Sequence, residues 1–259
     1  MSIVMNEYKW AENAIKEKKF IDKPYESLIR IARYYTYNGF NKREVRDYLE
    51  KFILSCDNSI SMASWDDKLD SIIKYADKRK LHIIDKIDIS ETEISEIKNL
   101  EGRQLQRLAF TLLCVAKYSN MVYEKNECWV NVPDKEIMKM ANISTSIKRQ
   151  SLLYSKLRDL GLIRFSNKID NLSVQILFAD NNKSVIEIKD FRNIGYQYMN
   201  YIDGGYFICA SCGITCKENK QSSKKQKYCP DCAVKIHLQQ RVCSVMRGRN
   251  KIESVDISK

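Results

Sequence analysis

The sequence predicts a mainly α-helical protein with small β elements, in three parts, and three observations predict it. Only three prolines and eight glycines stand among 259 residues, a composition that leaves helices uninterrupted. Apolar residues recur at helical spacing through the first hundred residues and again after Gly102, where short alternating runs follow. Near the end, two Cys-x-x-Cys pairs stand sixteen residues apart. The expected parts are a helical bundle over 1–98, a helix-and-hairpin unit over 99–182, and, over 183–259, a linker helix, a four-cysteine ribbon and a basic helix.

The first part reads as a bundle. "PYESLIRIARYYTYNG" places Leu28, Ile31, Ala32 and Tyr35 on one face, and Asn38-Gly39 supplies a stop. "NKREVRDYLEKFIL" follows, with Asn41 as N-cap and Val45, Tyr48, Leu49 and Phe52 facing inward. A third helix is expected to begin at Ser64 and to carry Leu69, Ile72, Ile73 and Ala76. Ser90 and Glu93 have the spacing of a capping box, and the boundary of this part is expected near Leu100. On "ARYYTYNGFNKREVRDYL" and the Trp-bearing helix after it, the stretch resembles the helical domain that follows the catalytic core of some phage and plasmid primases. The resemblance brings no catalytic residues, and a protein partner is the expected role of this part.

The middle part changes pattern. "RQLQRLAFTLLCVAKYSNMV" is a strongly apolar helix and "CWVNV" a short strand. Pro133 opens a compact helix with Ile137, Met140 and Ala141 inward and Asp134 at its positive end. After a turn over Asn142 to Ser144, "TSIKRQSLLYSKLRDLG" forms a helix whose core stripe is read as Leu153, Leu157 and Leu160, with Gly161 ending it. "LIRFS" and "LSVQILF" then make a hairpin around "NKIDN". Helix, strand, helix, turn, helix, hairpin is the order of a winged helix-turn-helix, and the run "LRDLGLIR" resembles that superfamily closely. That resemblance implies a groove-reading helix. Its first turns carry Thr145, Ser146, Lys148, Arg149 and Gln150, and the hairpin offers Arg164, Asn167, Lys168 and Asn171 to the backbone or minor groove. Arg suits the guanine O6/N7 pair and Gln the adenine N6/N7 pair, while hydroxyls take phosphate oxygens.

Charge supports a polyanion partner for the later parts alone. Residues 1–100 hold 18 Lys and Arg against 18 Asp and Glu, and residues 101–259 hold 26 against 15, the whole of the net +11. Residues 134–168 hold eight cations against three acids.

Cys209, Cys212, Cys229 and Cys232 fit the ligand spacing of a zinc ribbon: four thiolates suit a single tetrahedral, structural Zn²⁺, which leaves no open position for catalysis. Gly213 permits a left-handed turn after the second ligand, and Pro230 stiffens the second pair. Cys216 or His237 as substitute ligands would break the paired spacing, and no βαβ setting for a redox pair is visible. Nine cysteines, with no apolar leader segment, argue against a secreted disulfide scaffold and for a reducing, cytoplasmic setting. The spacer "KENKQSSKKQK" holds Lys217, Lys220, Lys224, Lys225 and Lys227. The following helix, with Val234, Leu238, Val242 and Val245 read as inward, ends in Arg247, Arg249 and Lys251. Both basic runs suit phosphate contacts. Tyr196, Tyr198 and Tyr201 between hairpin and ribbon are read as a packing stripe, with stacking on unpaired bases as the alternative.

No HExxH, Walker A loop or G-x-S-x-G stands in the chain, and only His82 and His237 are present. The expectation is a non-catalytic DNA-binding protein, acting in replication or transcription control, with no membrane span. Two alternatives stay open: an RNA- or single-strand-binding protein, or an adaptor that docks on a polymerase or replisome protein. In general look, the ribbon with its basic tail is similar to the ends of phage and mobile-element proteins of low-GC Gram-positive bacteria, a resemblance that implies a bacterial host.

Overall fold

The computed structural model describes residues 3–57, 59–167, 173–219 and 225–256, with side chains described to residue 244. Among the described residues the chain is mainly helical, with ten α-helices and three small antiparallel sheets. No described helix is long and apolar enough to cross a membrane. Two compact units alternate along the chain, one built from 1–96, 113–132 and 161–191, the other from 97–112, 133–160 and 192–259.

The first unit begins with α1 (Glu7–Glu17), α2 (Pro24–Tyr37), α3 (Lys42–Cys56) and α4 (Asp66–Ala76). Asn41 caps α3 in a full capping box with Glu44. Ser64 is not the cap of α4. It closes a 3-10 turn over Met62–Ser64, and its hydroxyl donates to Ser61 O at 2.8 Å. The core of these helices is Ala11, Ala14, Leu28, Ile31, Leu49, Phe52, Ile53, Leu69 and Ile72. Each large aliphatic side chain there contributes about 1.5–3 kcal/mol by leaving water. At one edge the buried carboxylate of Glu7 accepts from Arg33 Nη1 at 2.9 Å and from the His82 amide at 3.3 Å. Arg30 pairs with Asp22 and lies over the Trp10 ring.

Strand β1 (Ile87–Ser90) leads into α5 (Glu91–Lys98) through the expected Ser90–Glu93 capping box. The strand itself, and its antiparallel partner β5 (Ser184–Ile188), were not legible in the sequence. Strands β2 (Trp129–Val130), β3 (Ile163–Phe165) and β4 (Val174–Ile176) form a sheet in the order β2-β4-β3. Its inward residues are Val130, Ile163, Val174 and Ile176. Between the strands of the expected hairpin, Lys168, Asn171 and Leu172 lie outside the described residues.

Helix α6 (Arg103–Tyr123) runs through segments of both units. In the second unit its first half stands with α7 (Asp134–Met140), α8 (Ile147–Asp159), α9 (Ile194–Ile202), the hairpin β6 (Tyr206–Ile208) and β7 (Thr215–Lys217), and α10 (Pro230–Asp256). Of the tyrosine stripe, Tyr198 is wholly buried against Phe110, with ring centroids 5.0 Å apart, and Tyr201 is exposed beside Lys98. Gly195 lies so close to α7 that an added Cβ would stand 2.1 Å from Ala141 O. Only glycine permits that approach.

Two sequence expectations about core faces are corrected. Leu160 is 58% exposed, and the buried face of α8 is Leu153, Tyr154 and Leu157. The helix ends at Asp159, so Leu160 falls at the cap and leaves the stripe. Likewise Val234, Leu238 and Val242 are exposed, at 60%, 54% and 53%. Helical spacing puts them on one face, but among the described residues nothing covers that face.

Candidate metal centre and nucleic-acid surface

The four-cysteine site is assembled from two turns. After β6, the chain turns tightly: Gly213 N donates to Cys209 O, and Cys209 N to Ile214 O, both at 2.9 Å. Gly213 takes φ +75°, which a side chain would oppose. The second turn opens α10, with Ala233 N donating to Cys229 O at 2.9 Å. Ala210 N donates to Lys227 O at 2.9 Å and ties the two turns together. The sulfurs of Cys209, Cys212, Cys229 and Cys232 all lie within 4.8 Å of one another, and those of Cys212 and Cys229 are 3.7 Å apart.

Backbone amides point at this sulfur cluster. Cys229 N donates to Cys209 Sγ at 3.3 Å, and Cys232 N to Cys229 Sγ at 3.4 Å. Burial pushes the Cys209 thiol up, but amides of Cys229, Cys212 and Ser211 outweigh it and bring the group down to about 6. Burial and the neighbouring thiols push Cys229 up to about 12. A cation placed among the four would offset the mutual repulsion of thiolates held this close together. The donor set fits a metal that takes four sulfur ligands. Cys216 is not part of the cluster, nor is His237, which is exposed on α10.

The sequence-predicted reading residues gather at the start of α8. Ser146 is the N-cap, its hydroxyl accepting from Arg149 N at 3.4 Å. Gln150 Nε2 donates to Thr145 O at 3.0 Å, so both lie folded back on the turn. Lys148 and Arg149 are exposed. The same outer surface also holds Leu152 and Lys156, four and seven residues beyond Lys148 and Arg149, which helical spacing alone could have found. Tyr154 anchors the opposite side. Burial and then the charge and hydrogen bond of Asp134 push its phenol well up, which ties α8 to the start of α7.

On β3, Arg164 is exposed and donates across the sheet to Gln175 Oε1 at 2.5 Å, and Asn167 beyond it is exposed. Lys225 and Lys227 are exposed at the end of the spacer. Lys168 and Lys224 lie outside the described residues, as do the side chains of Val245, Arg247, Arg249 and Lys251.

Sequence reasoning missed two residues that join these regions in the second unit. Asn142 (φ 55°) ends α7, and Asn193 (φ 54°) opens α9, both in left-handed backbone. Asn142 Nδ2 donates to Asn193 Oδ1 at 2.9 Å, and Asn193 Nδ2 donates to Thr215 O at 2.9 Å. The available signal was residue type. Asn is the side-chain-bearing residue most at home in that conformation; Asn142 stands between α7 and α8, and Asn193 between β5 and α9.

No protein-family model matches the chain, and neither a curated protein nor a solved structure does.

Proposed function

We propose that the chain is a non-catalytic DNA-binding protein in which α8 reads duplex and the four cysteines hold one structural Zn²⁺. The observation that carries the reading is the two-sidedness of α8. Leu153, Tyr154 and Leu157 are buried, while Lys148, Arg149 and Lys156 stand together on the exposed side. A helix gripped along one face and cationic along the other is the form that enters a major groove. The order of elements from α6 through β4, with a hairpin following the reading helix, supports placement among winged helix-turn-helix proteins. Four cysteine sulfurs, with no further donor grouped with them among the described residues, favour zinc in a structural role over a catalytic one. Lys225 and Lys227 add phosphate contacts. The setting is control of replication or transcription in a phage or mobile element.

The adaptor reading is favoured by a different observation. Ile147 is 81% exposed and Leu152 is exposed on the same helix, and apolar groups of this kind suit a protein surface. Fluorescence anisotropy separates the two. Zinc-loaded protein should bind a random-sequence duplex pool with steep salt dependence and should bind single-stranded DNA and RNA more weakly. Equal, weak binding to all three would sink the duplex reading. A loss of duplex binding in Arg149→Ala but not in Leu152→Ala would set the adaptor reading aside.

A further inference from the structure

The second unit contains a continuous hydrogen-bonded path from the cysteine cluster to the turn before α8. Cys209 N is held by Ile214 O, and the next carbonyl, Thr215 O, accepts from Asn193 Nδ2 at 2.9 Å. Arg192 Nη2 donates at 2.6 Å to the backbone carbonyl of Cys212, one of the four cysteines. Asn193 Oδ1 then accepts from Asn142 Nδ2, and Asn142 Oδ1 accepts from Tyr196 N at 3.1 Å. The carbonyl of Asn142 accepts from Arg107 Nη1 at 3.0 Å. Asn142 lies four residues ahead of the Ser146 cap, so the segment that leads into α8 is held by Asn193 and Tyr196 at the start of α9 and by Arg107 on α6.

We infer that Asn193 is a positioning residue through which occupancy of the four-cysteine site sets the turn between α7 and α8. The inference rests on the proposed metal site and gives its metal a task beyond holding the ribbon together. A hairpin of two three-residue strands buries too little to stay folded alone, so its order comes with the cation. Without the cation, Thr215 O is no longer a fixed acceptor. Asn193 then loses one of its two partners, and Asn142 loses the fixed orientation of the other. Both asparagines hold a backbone conformation that costs energy when nothing compensates it. The turn at 141–146 loosens, and with it the presentation of Lys148 and Arg149. A device of this kind makes duplex binding depend on metal even though no cysteine touches DNA.

Hydrogen–deuterium exchange on the full chain tests this, using zinc as the probe. In the wild-type protein, chelation should speed exchange of amides over 141–150 by about tenfold for each hydrogen bond lost. Asn193→Gly keeps the left-handed backbone and removes both side-chain bonds. It should still bind one zinc per chain, should exchange fast over 141–150 even when loaded, and should show no further change there on chelation. Asn193→Asp, which keeps the acceptor for Asn142 but not the donor to Thr215, should exchange over 141–150 at the rate of the chelated wild type whether or not zinc is bound. If chelation leaves wild-type exchange over 141–150 unchanged, or still speeds it in both variants, the inference is overturned. Duplex binding on the same samples separates the two ideas. A zinc-dependent turn in a protein that ignores duplex supports the coupling and sinks the DNA reading, whereas duplex binding with a zinc-independent turn sinks the coupling alone.

Discussion

Lys117 Nζ lies 2.7 Å from Glu93 Oε1, and the Glu93 side chain is wholly buried. The same carboxylate accepts from Ser90 N and from Asp180 N, both at 2.8 Å, while Lys117 also donates to Asp88 O at 2.8 Å. One buried charge therefore caps α5, anchors the segment before β5, and is neutralised from α6.

Removing one partner should cost far more than removing both. Glu93→Gln should destabilise the first unit by about 3–5 kcal/mol, because a buried ammonium loses its counter-charge. The double change Glu93→Gln with Lys117→Met should recover much of that loss. Urea unfolding monitored by tryptophan fluorescence reads both. Equal stability of the single variant and wild type would show that the pair is not desolvated in solution.

Acid should weaken the first unit through His82. Burial lowers its pKa below the ordinary 6.5, and the charges of Arg33 and Arg79 lower it further against the opposing pull of Glu7. The folded state therefore keeps the imidazole neutral where the unfolded chain protonates it. Its stabilising contribution is complete above about pH 6.5 and is lost as pH falls through and below that value. His82→Gln should flatten the fall in melting temperature between pH 7 and pH 5. An unchanged pH profile would assign acid sensitivity elsewhere.

Metal content should be one zinc per chain, released by chelators and by acid, since each thiolate ligand competes with a proton. Cys229→Ser should lose the metal and leave the segment from 205 onward open to protease. Full zinc retention in that variant would mean that Cys216 or another donor replaces it.

Base and phosphate contacts should separate. Arg149→Ala should weaken a preferred duplex roughly 5- to 150-fold and relax sequence preference at one position. Lys225→Ala combined with Lys227→Ala should weaken all duplexes alike and lower the salt slope by about 0.9 per lost phosphate contact. Footprinting with salt titration distinguishes these outcomes, and the opposite pattern would make the ribbon the reader.

Gly195→Ala should damage the second unit selectively. The new Cβ would meet the Ala141 carbonyl at 2.1 Å, a backbone atom that cannot swing aside, so α9 must move away from α7. A lowered melting temperature with loss of zinc-dependent protection at 141–150 is expected. Wild-type stability in this variant would show that α9 shifts freely.

Local signals carried most of what was legible. Asn41 as an N-cap, and Ser90 with Glu93 as a capping box, satisfy helix ends within four residues, so type and spacing suffice. The four cysteines were legible because their spacing is itself the ligand geometry. Leu160 and Val234 misled because periodicity identifies a face but not what covers it. β1 and β5 were missed because a strand is recognised by its partner, and here the partner lies about a hundred residues away. Asn142 reads only as part of a turn and Asn193 carries no local signal of its own, because it is tertiary structure that joins their amides.

The pairing of β1 with β5 orders events during synthesis. Ile87 and Ile89 sit opposite Ile188 and Ile186, so the edge of β1 stays unsatisfied until the ribosome has passed residue 188. The N-terminal helices emerge long before that and have their own core. Throughout that interval the nascent chain presents an unpaired, isoleucine-bearing strand edge, open to pairing with a neighbouring chain on the same message. Slow elongation between residues 90 and 184 would lengthen this exposure, and stalling there would leave a folded bundle with an adhesive edge.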